Sequence, residues 1–409
     1  MTKDDEGEVR RPKGGGRTHT GRRRTLAWAT LAVVLVAAVV GTVAGASSGR
    51  ASAVDRPAPT RHTRTAATPG NTHAPRASFL TSATAPLPTS TASAPGTQVT
   101  GGSDQSDPFL TTAGGRYLLL TSGSSWPDAV NVPVATSVDF VHWTAPVDAL
   151  PVLPAWAAPG FTWAPDLHRF GSRYALYFTA MLAGHSPQTQ CIGSAFSSSP
   201  SGPFTARPTP FICQVDQGGD IDPRVFVDTD GSAWMVWKTD QNIGGADTPT
   251  KLWSERLSAD GTQLLGSPSF LLSPDEAWQG TIVEAPDMVQ VGGAYWVIYS
   301  GNWYNQPAYA IGAARCDGPA GPCRDVSPTP LLASNLQGQG PGEASVFRDD
   351  AGVWLLYSPW RSAAPHPDIP ARPVYVTRLG FGASGPYLAA GPLPSAADLL
   401  AQPLWSPTP

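Results

Sequence analysis

The sequence predicts an all-β fold, a five-bladed β-propeller, and three observations carry the prediction. First, five segments repeat one pattern of a turn, an aromatic and an apolar strand. They are Gly114-Gly115-Arg116-Tyr117-Leu118-Leu119-Leu120, Gly171-Ser172-Arg173-Tyr174-Ala175-Leu176-Tyr177, Gly231-Ser232-Ala233-Trp234-Met235-Val236-Trp237, Gly292-Gly293-Ala294-Tyr295-Trp296-Val297-Ile298 and Ala351-Gly352-Val353-Trp354-Leu355-Leu356-Tyr357. Second, the aromatic recurs after 57, 60, 61 and 59 residues, a spacing that fits one four-stranded blade per repeat. Third, charged residues are only 14% while Gly and Pro number 42 and 43, the balance of a turn-rich chain of short strands. With 14 Trp and a net charge of −4, that composition suits a carbohydrate-facing surface and gives no reason to expect nucleic acid as a partner.

Taken in order, residues 1–24 are polar and end in Arg22-Arg23-Arg24, and residues 25–46 are small or apolar without charge. About twenty such residues can cross a bilayer as a helix, and the basic flank would keep the N-terminal end in the cytoplasm. Two fates stay open: an uncleaved single-pass anchor, which would make the membrane a partner, or a signal peptide cleaved after Ala46 or Ala53. Either fate places the rest of the chain outside the cytoplasm, secreted or membrane-anchored. Residues 47–103 are rich in Ala, Thr, Ser and Pro and lack the apolar surface to offset ordering entropy, so a disordered linker is expected there.

The propeller is expected over residues 104–380. Blade 1 runs from 106 to about 150. The next four open at Trp163-Ala164-Pro165-Asp166, Ile221-Asp222-Pro223, Val283-Glu284-Ala285-Pro286-Asp287 and Gly342-Glu343-Ala344. Residues 381–409 read as a Pro- and Ala-rich C-terminal extension. The four cysteines are expected to pair as Cys191–Cys213 and Cys316–Cys323, which an exported protein can sustain. Neither Cys-x2-Cys nor a nearby histidine suggests a metal site at the cysteines.

Ten to twelve residues before each repeat aromatic lie Asp107, Trp163, Asp222, Glu284 and Glu343. If the repeats are equivalent, these five side chains ring the central axis. Four carboxyls gathered in a narrow funnel repel one another and are costly to ionise, which a purely structural ring has no reason to keep. Glycoside hydrolysis does have a reason. It needs one carboxylic acid for the leaving oxygen, one carboxylate as base or nucleophile, and benefits from a third that tunes the acid. Asp166 and Asp287, each after a Pro, read instead as blade-entry turn residues.

Here the chain resembles glycoside hydrolase family 43, five-bladed propeller enzymes acting on arabinose- and xylose-containing polysaccharides. The resemblance rests on Ser106-Asp107-Pro108-Phe109, Trp163-Ala164-Pro165-Asp166-Leu167, Ile221-Asp222-Pro223-Arg224-Val225-Phe226 and Val283-Glu284-Ala285-Pro286. It implies an inverting mechanism, with Asp107 as general base, Glu284 as general acid and Asp222 tuning and orienting the acid. It implies no cofactor for the chemistry, but a structural cation, with calcium the candidate, at the axis. That cation is put in doubt because Gly342-Glu343 stands where the family commonly has Gly-His. Arg372 resembles a family arginine that reaches the sugar site.

Trp163 on the axis ring, and Trp126, Trp278 and Trp303 in loops, are candidates for stacking on a sugar face. Glu343 is a further candidate at the substrate site. The stretch Tyr299-Ser300-Gly301-Asn302-Trp303-Tyr304-Asn305, followed by Tyr309-Ala310-Ile311-Gly312, is most similar to arabinofuranosidase members. The expected function is therefore an exported α-L-arabinofuranosidase acting on a polysaccharide or oligosaccharide. β-Xylosidase and endo-arabinanase activities stay open, as does a non-catalytic carbohydrate-binding propeller. A family 32-type fructosidase would show Asn-Asp-Pro-Asn early and Glu-Cys in place of Glu284-Ala285.

Overall fold

A computed structural model of the chain describes residues 96–100, 105–123, 130–360 and 372–389. The expected N-terminal helix over 25–46, most of the linker, Trp126 and residues 390–409 lie outside these described residues. Among the described residues there is no α-helix, only single 3-10 turns such as Ala277–Gln279, and no helix is long and apolar enough to cross a membrane.

Five antiparallel sheets follow one another along the chain. Blade 1 holds β2 (Phe109–Ala113), β3 (Arg116–Leu120), β4 (Pro133–Ser137) and β5 (Val147–Asp148). Blade 2 holds β6 (Ala157–Phe170), β7 (Arg173–Leu182), β8 (Gln190–Ser197) and β9 (Thr205–Ala206). Blade 3 holds β10 (Asp220–Val227), β11 (Ala233–Thr239), β12 (Lys251–Leu257) and β13 (Leu264–Leu272). Blade 4 holds β14 (Val283–Val291), β15 (Ala294–Gly301), β16 (Ala310–Cys316) and β17 (Cys323–Asp325). Blade 5 is built on β18 (Gln339–Asp349), β19 (Gly352–Trp360) and β20 (Tyr375–Gly382). The repeated aromatic opens the second strand of every blade, as the spacing predicts.

The second strands are apolar on both faces because each blade is packed between two others. Along β3, Leu118 and Leu120 join Leu167, Leu176 and Phe178 of blade 2, while Tyr117 and Leu119 join Trp354 and Leu356 of blade 5. Period-two alternation thus sorts one strand's side chains between two cores. The remaining junctions repeat the device. Tyr177 packs with Met235 and Trp237, Val236 with Val297 and Tyr299, and Ile298 with Leu355 and Tyr357. Five cores at five junctions close the ring.

Closure also draws on strands the sequence reading placed outside the propeller. β1 (Thr97–Gln98) pairs antiparallel with Tyr375 and Val376 of β20, although residues 47–103 were expected as linker. β21 (Gly385–Ala389) pairs with the other half of β20, so the last blade runs past the expected boundary at 380. Neither strand carries a strong apolar pattern; backbone pairing, not side-chain burial, recruits them. Both expected disulfides form, Cys191–Cys213 and Cys316–Cys323, the latter directly across the β16–β17 pair.

Candidate active site

Each blade begins its innermost strand with one residue in the left-handed backbone region. These are Asp107 (φ 52°), Ala164 (φ 46°), Asp222 (φ 58°), Ala285 (φ 48°) and Glu343 (φ 54°). They are the equivalent positions of the five repeats, and four of them precede a proline. The sequence reading aligned Trp163 and Glu284 with Asp107, Asp222 and Glu343. Both in fact stand one residue earlier: the bulge that follows Trp163 and Glu284 follows Ile221 and Gly342 in blades 3 and 5, so it is the distance to the aromatic that varies between blades. Non-glycine residues held at positive φ store strain, which marks this ring as over-determined by its surroundings.

Short polar side chains on the second strands provide that support. The Ala164 N–H donates to Ser122 Oγ (3.1 Å), Asp222 N–H to Thr179 Oγ1 (3.1 Å) and Glu343 N–H to Ser300 Oγ (3.0 Å). In blade 3 the corresponding position, opposite Ile221, is Lys238. There the Ala285 N–H donates to the carboxylate of Asp222 instead, at 2.9 Å. Sequence reading missed Lys238; the polar residue ending the other second strands was the signal that would have found it.

The structure brings Asp107, Asp222, Glu284 and Glu343 together, each 6–8% exposed. Asp107 Oδ2 accepts the Ser122 hydroxyl. Glu284 is clamped from two sides: Lys238 Nζ donates to Oε2 at 2.8 Å, and the Tyr309 hydroxyl lies 2.7 Å from Oε1. That hydroxyl also lies 2.8 Å from Glu343 Oε1, and the Asp107 carboxyl acts on Glu343 as a neighbouring charge. Burial, then the charges of Glu284 and Asp107, push the Asp222 carboxyl up to about 7 against the pull of Lys238. Burial, then Asp107, Glu284 and Asp222, push Glu343 well above the usual carboxylate range. Lys238 is held protonated: burial alone would strip it, but Glu284, Asp240 and Asp222 outweigh that cost.

Tyr309 was likewise missed as a site residue. It sits just before β16, and its ring is admitted by Gly342. A Cβ on Gly342 would stand 1.8 Å from Tyr309 Cε1. Gly342→Ala is therefore expected to expel the phenol from between the two glutamates. Turnover should drop by roughly tenfold or more while the fold survives, since the overlap is met by moving one side chain. Unchanged kinetics in Gly342→Ala would show that Tyr309's placement is immaterial.

Arg372 is buried, with its guanidinium 4.7 Å from the Trp360 ring centroid and 5.7 Å from that of Tyr304. The three form an aromatic and cationic platform, where Trp360 Nε1 donates to the Tyr304 carbonyl (2.9 Å) and Tyr304 remains 47% exposed. Trp163 is half-buried beside Phe161, and Trp303 is half-buried next to the left-handed Asn302. Trp278 is half-buried, stacked on Tyr299 and close over Gly301 and Gly312.

Asp166 and Asp287 are not turn residues; they lie within β6 and β14 and are fully buried about Arg224. The guanidinium donates to the Pro165 carbonyl (2.8 Å) and rests over Phe109. Burial pushes Asp166 up to about 7 and Asp287 to about 6, opposed by Arg224. A carboxyl whose folded pKa is raised contributes stability that is complete below its unfolded value near 4 and is lost as pH rises through 6–7. Asp166→Asn should therefore lose less thermal stability than the wild type between pH 5 and pH 8. Identical pH dependence of the two melting curves would sink this assignment.

The cation implied by the resemblance does not fit these residues. Glu343 is already engaged by Tyr309 and Asp107, and among the described residues no three His, Cys, Asp or Glu side chains are grouped to hold a metal ion. Positive charge at the carboxyls comes instead from Lys238.

The geometry can present one carboxyl anchored by Lys238 and Tyr309, and a second held by Ser122, to a ligand on the axis. Comparisons with known proteins give the family. The sequence pattern of the family described as glycosyl hydrolases family 43 matches residues 97–385. A xylosidase/arabinosidase 43A of Humicola insolens is 43% identical over 75 residues, covering 18% of this chain and 21% of that protein. An extracellular endo-α-(1→5)-L-arabinanase of Thermotoga petrophila is 26% identical over 213 residues, covering 41% and 43% respectively. The chain thus spans less than half the length of either. The crystal structure of a thermostable family-43 glycoside hydrolase superposes with a TM-score of 0.63 at 25% identity, covering 72% of this chain and 97% of that one.

Proposed function

The chain belongs to glycosyl hydrolases family 43, and from that premise we propose that it hydrolyses arabinofuranosyl linkages of plant-type polysaccharides by an inverting mechanism, as an α-L-arabinofuranosidase. The observation that carries this reading is the unequal setting of two carboxyls in one buried cluster. Glu284, clamped by Lys238 and Tyr309, is the acid that protonates the leaving oxygen. Asp107, held by the Ser122 hydroxyl, is the base that takes a proton from the attacking water. Asp222 orients the acid through the Ala285 N–H, while burial and then the Glu284 charge hold its own carboxyl up to about 7. Charge built up at the sugar is met by carboxylates already in place, so little reorganisation is needed at the reaction itself.

The platform of Arg372, Trp360 and Tyr304, with Trp163 and Trp303, is the surface we assign to sugar binding. The names of the relatives span arabinanase and xylosidase activities, so sugar and mode of attack rest on this surface. Export through the segment 1–46 is part of the same proposal, since the polymeric substrates lie outside cells.

The test is hydrolysis by the purified protein of aryl α-L-arabinofuranoside, aryl β-D-xyloside, linear arabinan and arabinoxylan. Arabinose release from the arabinofuranoside and from arabinoxylan is expected. Xylose release alone would replace the assignment with β-xylosidase, and short oligomers from arabinan with endo-arabinanase. Sugar binding without turnover would favour the carbohydrate-binding propeller.

A further inference from the structure

An inverting cycle ends with its protons on the wrong residues. The base has gained one from water and the acid has lost one to the leaving group. Before the next cleavage a proton must travel from Asp107 to Glu284. Both are buried.

The hydrogen bonds around Tyr309 supply a path. Its hydroxyl is within 2.7 Å of Glu284 Oε1 and 2.8 Å of Glu343 Oε1. A phenol has one proton, so two hydrogen bonds to two carboxyls require a second proton on one of the glutamates. Asp107 is the next carboxyl of the same buried cluster, near enough for its charge to act on Glu343, and a proton shared between the two would close the path. In the order Asp107, Glu343, Tyr309, Glu284 the last two links are direct hydrogen-bond contacts. The groups facing Glu343 are Asp107, Asp222, Glu284 and Tyr309, and every charge among them favours its protonated form. Lys238, the cation of the cluster, is turned to Glu284 and Asp240.

We propose that Glu343 and Tyr309 form an internal proton-return relay that carries the proton from Asp107 back to Glu284 after each cleavage; this rests on the roles proposed above for those two carboxyls. The transfer balances without any added reactant. Asp107 gives its proton to one oxygen of Glu343, Glu343 gives the proton on Oε1 to the Tyr309 oxygen, and Tyr309 gives its own to Glu284 Oε1. Three O–H bonds break and three form. Glu343 and Tyr309 end as protonated as they began, and the acid and base are reset. A histidine at position 343 holding a cation through water would leave no such carboxyl-to-carboxyl path.

Two variants interrupt the relay: Glu343→Gln, which keeps the shape of the side chain, and Tyr309→Phe, which removes the bridging hydroxyl alone. The return step follows irreversible cleavage, so it enters kcat and not kcat/KM. On an unactivated oligosaccharide, kcat of both variants is expected to fall about tenfold further than kcat/KM, the modest end of proton-transfer effects because solvent provides a slower route. Raising the concentration of a small carboxylic acid buffer at fixed pH should restore kcat in the variants and leave the wild type unchanged. A parallel loss of kcat and kcat/KM that buffer does not restore would reduce the two residues to a packing role and overturn the relay. Infrared difference spectroscopy at pH 6 gives a readout independent of turnover. The wild-type minus Glu343→Gln difference spectrum should carry one protonated-carboxyl band beyond those of the other buried acids, and that band should shift in Tyr309→Phe; a difference spectrum without it, or a band that does not shift, would also overturn it. Hydrolysis by the wild type, lost in Glu284→Gln, reports separately on the proposed acid and base.

Discussion

Glu284→Gln is expected to lower turnover of oligosaccharides by roughly 10²–10⁴-fold while substrate binding persists, because general acid catalysis contributes about that much to a reaction whose leaving group is an alkoxide. The amide matches the carboxyl in volume and can still accept from Lys238, so the clamp that orients it is largely kept. What it lacks is a proton of usable acidity. An aryl glycoside with a strongly acidic phenol departs as an anion and hardly needs that proton, so the same variant should retain far more activity on it. Asp107→Asn makes the complementary case. It removes the base that activates water, a need common to every leaving group, and should depress both substrates equally. A Glu284→Gln enzyme that lost both substrates in equal measure would move the acid role elsewhere. One that lost neither would return the chain to the carbohydrate-binding alternative.

The legibility of this site in the sequence follows from where each signal is written. The repeated turn–aromatic–strand pattern placed all five blades, because an aromatic opening the second strand is set by packing at a blade junction, as Tyr117 against Phe347 of blade 5 illustrates. Asp107, Asp222 and Glu284 were legible because Asp-Pro and Glu-Ala-Pro mark the strained turn at the axis. Their exact register was not: counting back from the aromatic misses the single-residue offset that puts Ala164 and Ala285, not Trp163 and Glu284, in the left-handed position. Tyr309 and Lys238 escaped for a different reason. Their significance lies in contacts spanning 25 and 46 residues of sequence with Glu284, and no local pattern announces such contacts. Thr97 and Gln98 were hidden because edge pairing with β20 uses only backbone groups.

Lys238 carries the second large effect. Its ammonium is 1% exposed and lies 3.1 Å from Asp240 and 2.8 Å from Glu284, whose side chains are 3% and 8% exposed. Asp240 also accepts from Gln190 Nε2 at 3.0 Å, so that carboxylate is fixed in place. Lys238→Met keeps the length of the side chain and removes its charge, leaving two buried carboxylates without their counter-ion. Breaking a buried ion pair from one side costs about 3–5 kcal/mol, more than the pair itself contributes, because the stranded charges keep their desolvation penalty. A sharp fall in melting temperature at pH 7 is expected. Activity should fail for a separate reason: Glu284 loses the partner that fixes Oε2. Pairing Lys238→Met with Glu284→Gln in a double-mutant cycle isolates the contact, since neutralising both partners should cost less than the sum of the single changes. Strict additivity of the two losses would mean that the short Lys238–Glu284 contact contributes nothing, and that the acid is oriented by Tyr309 and Ala285 alone.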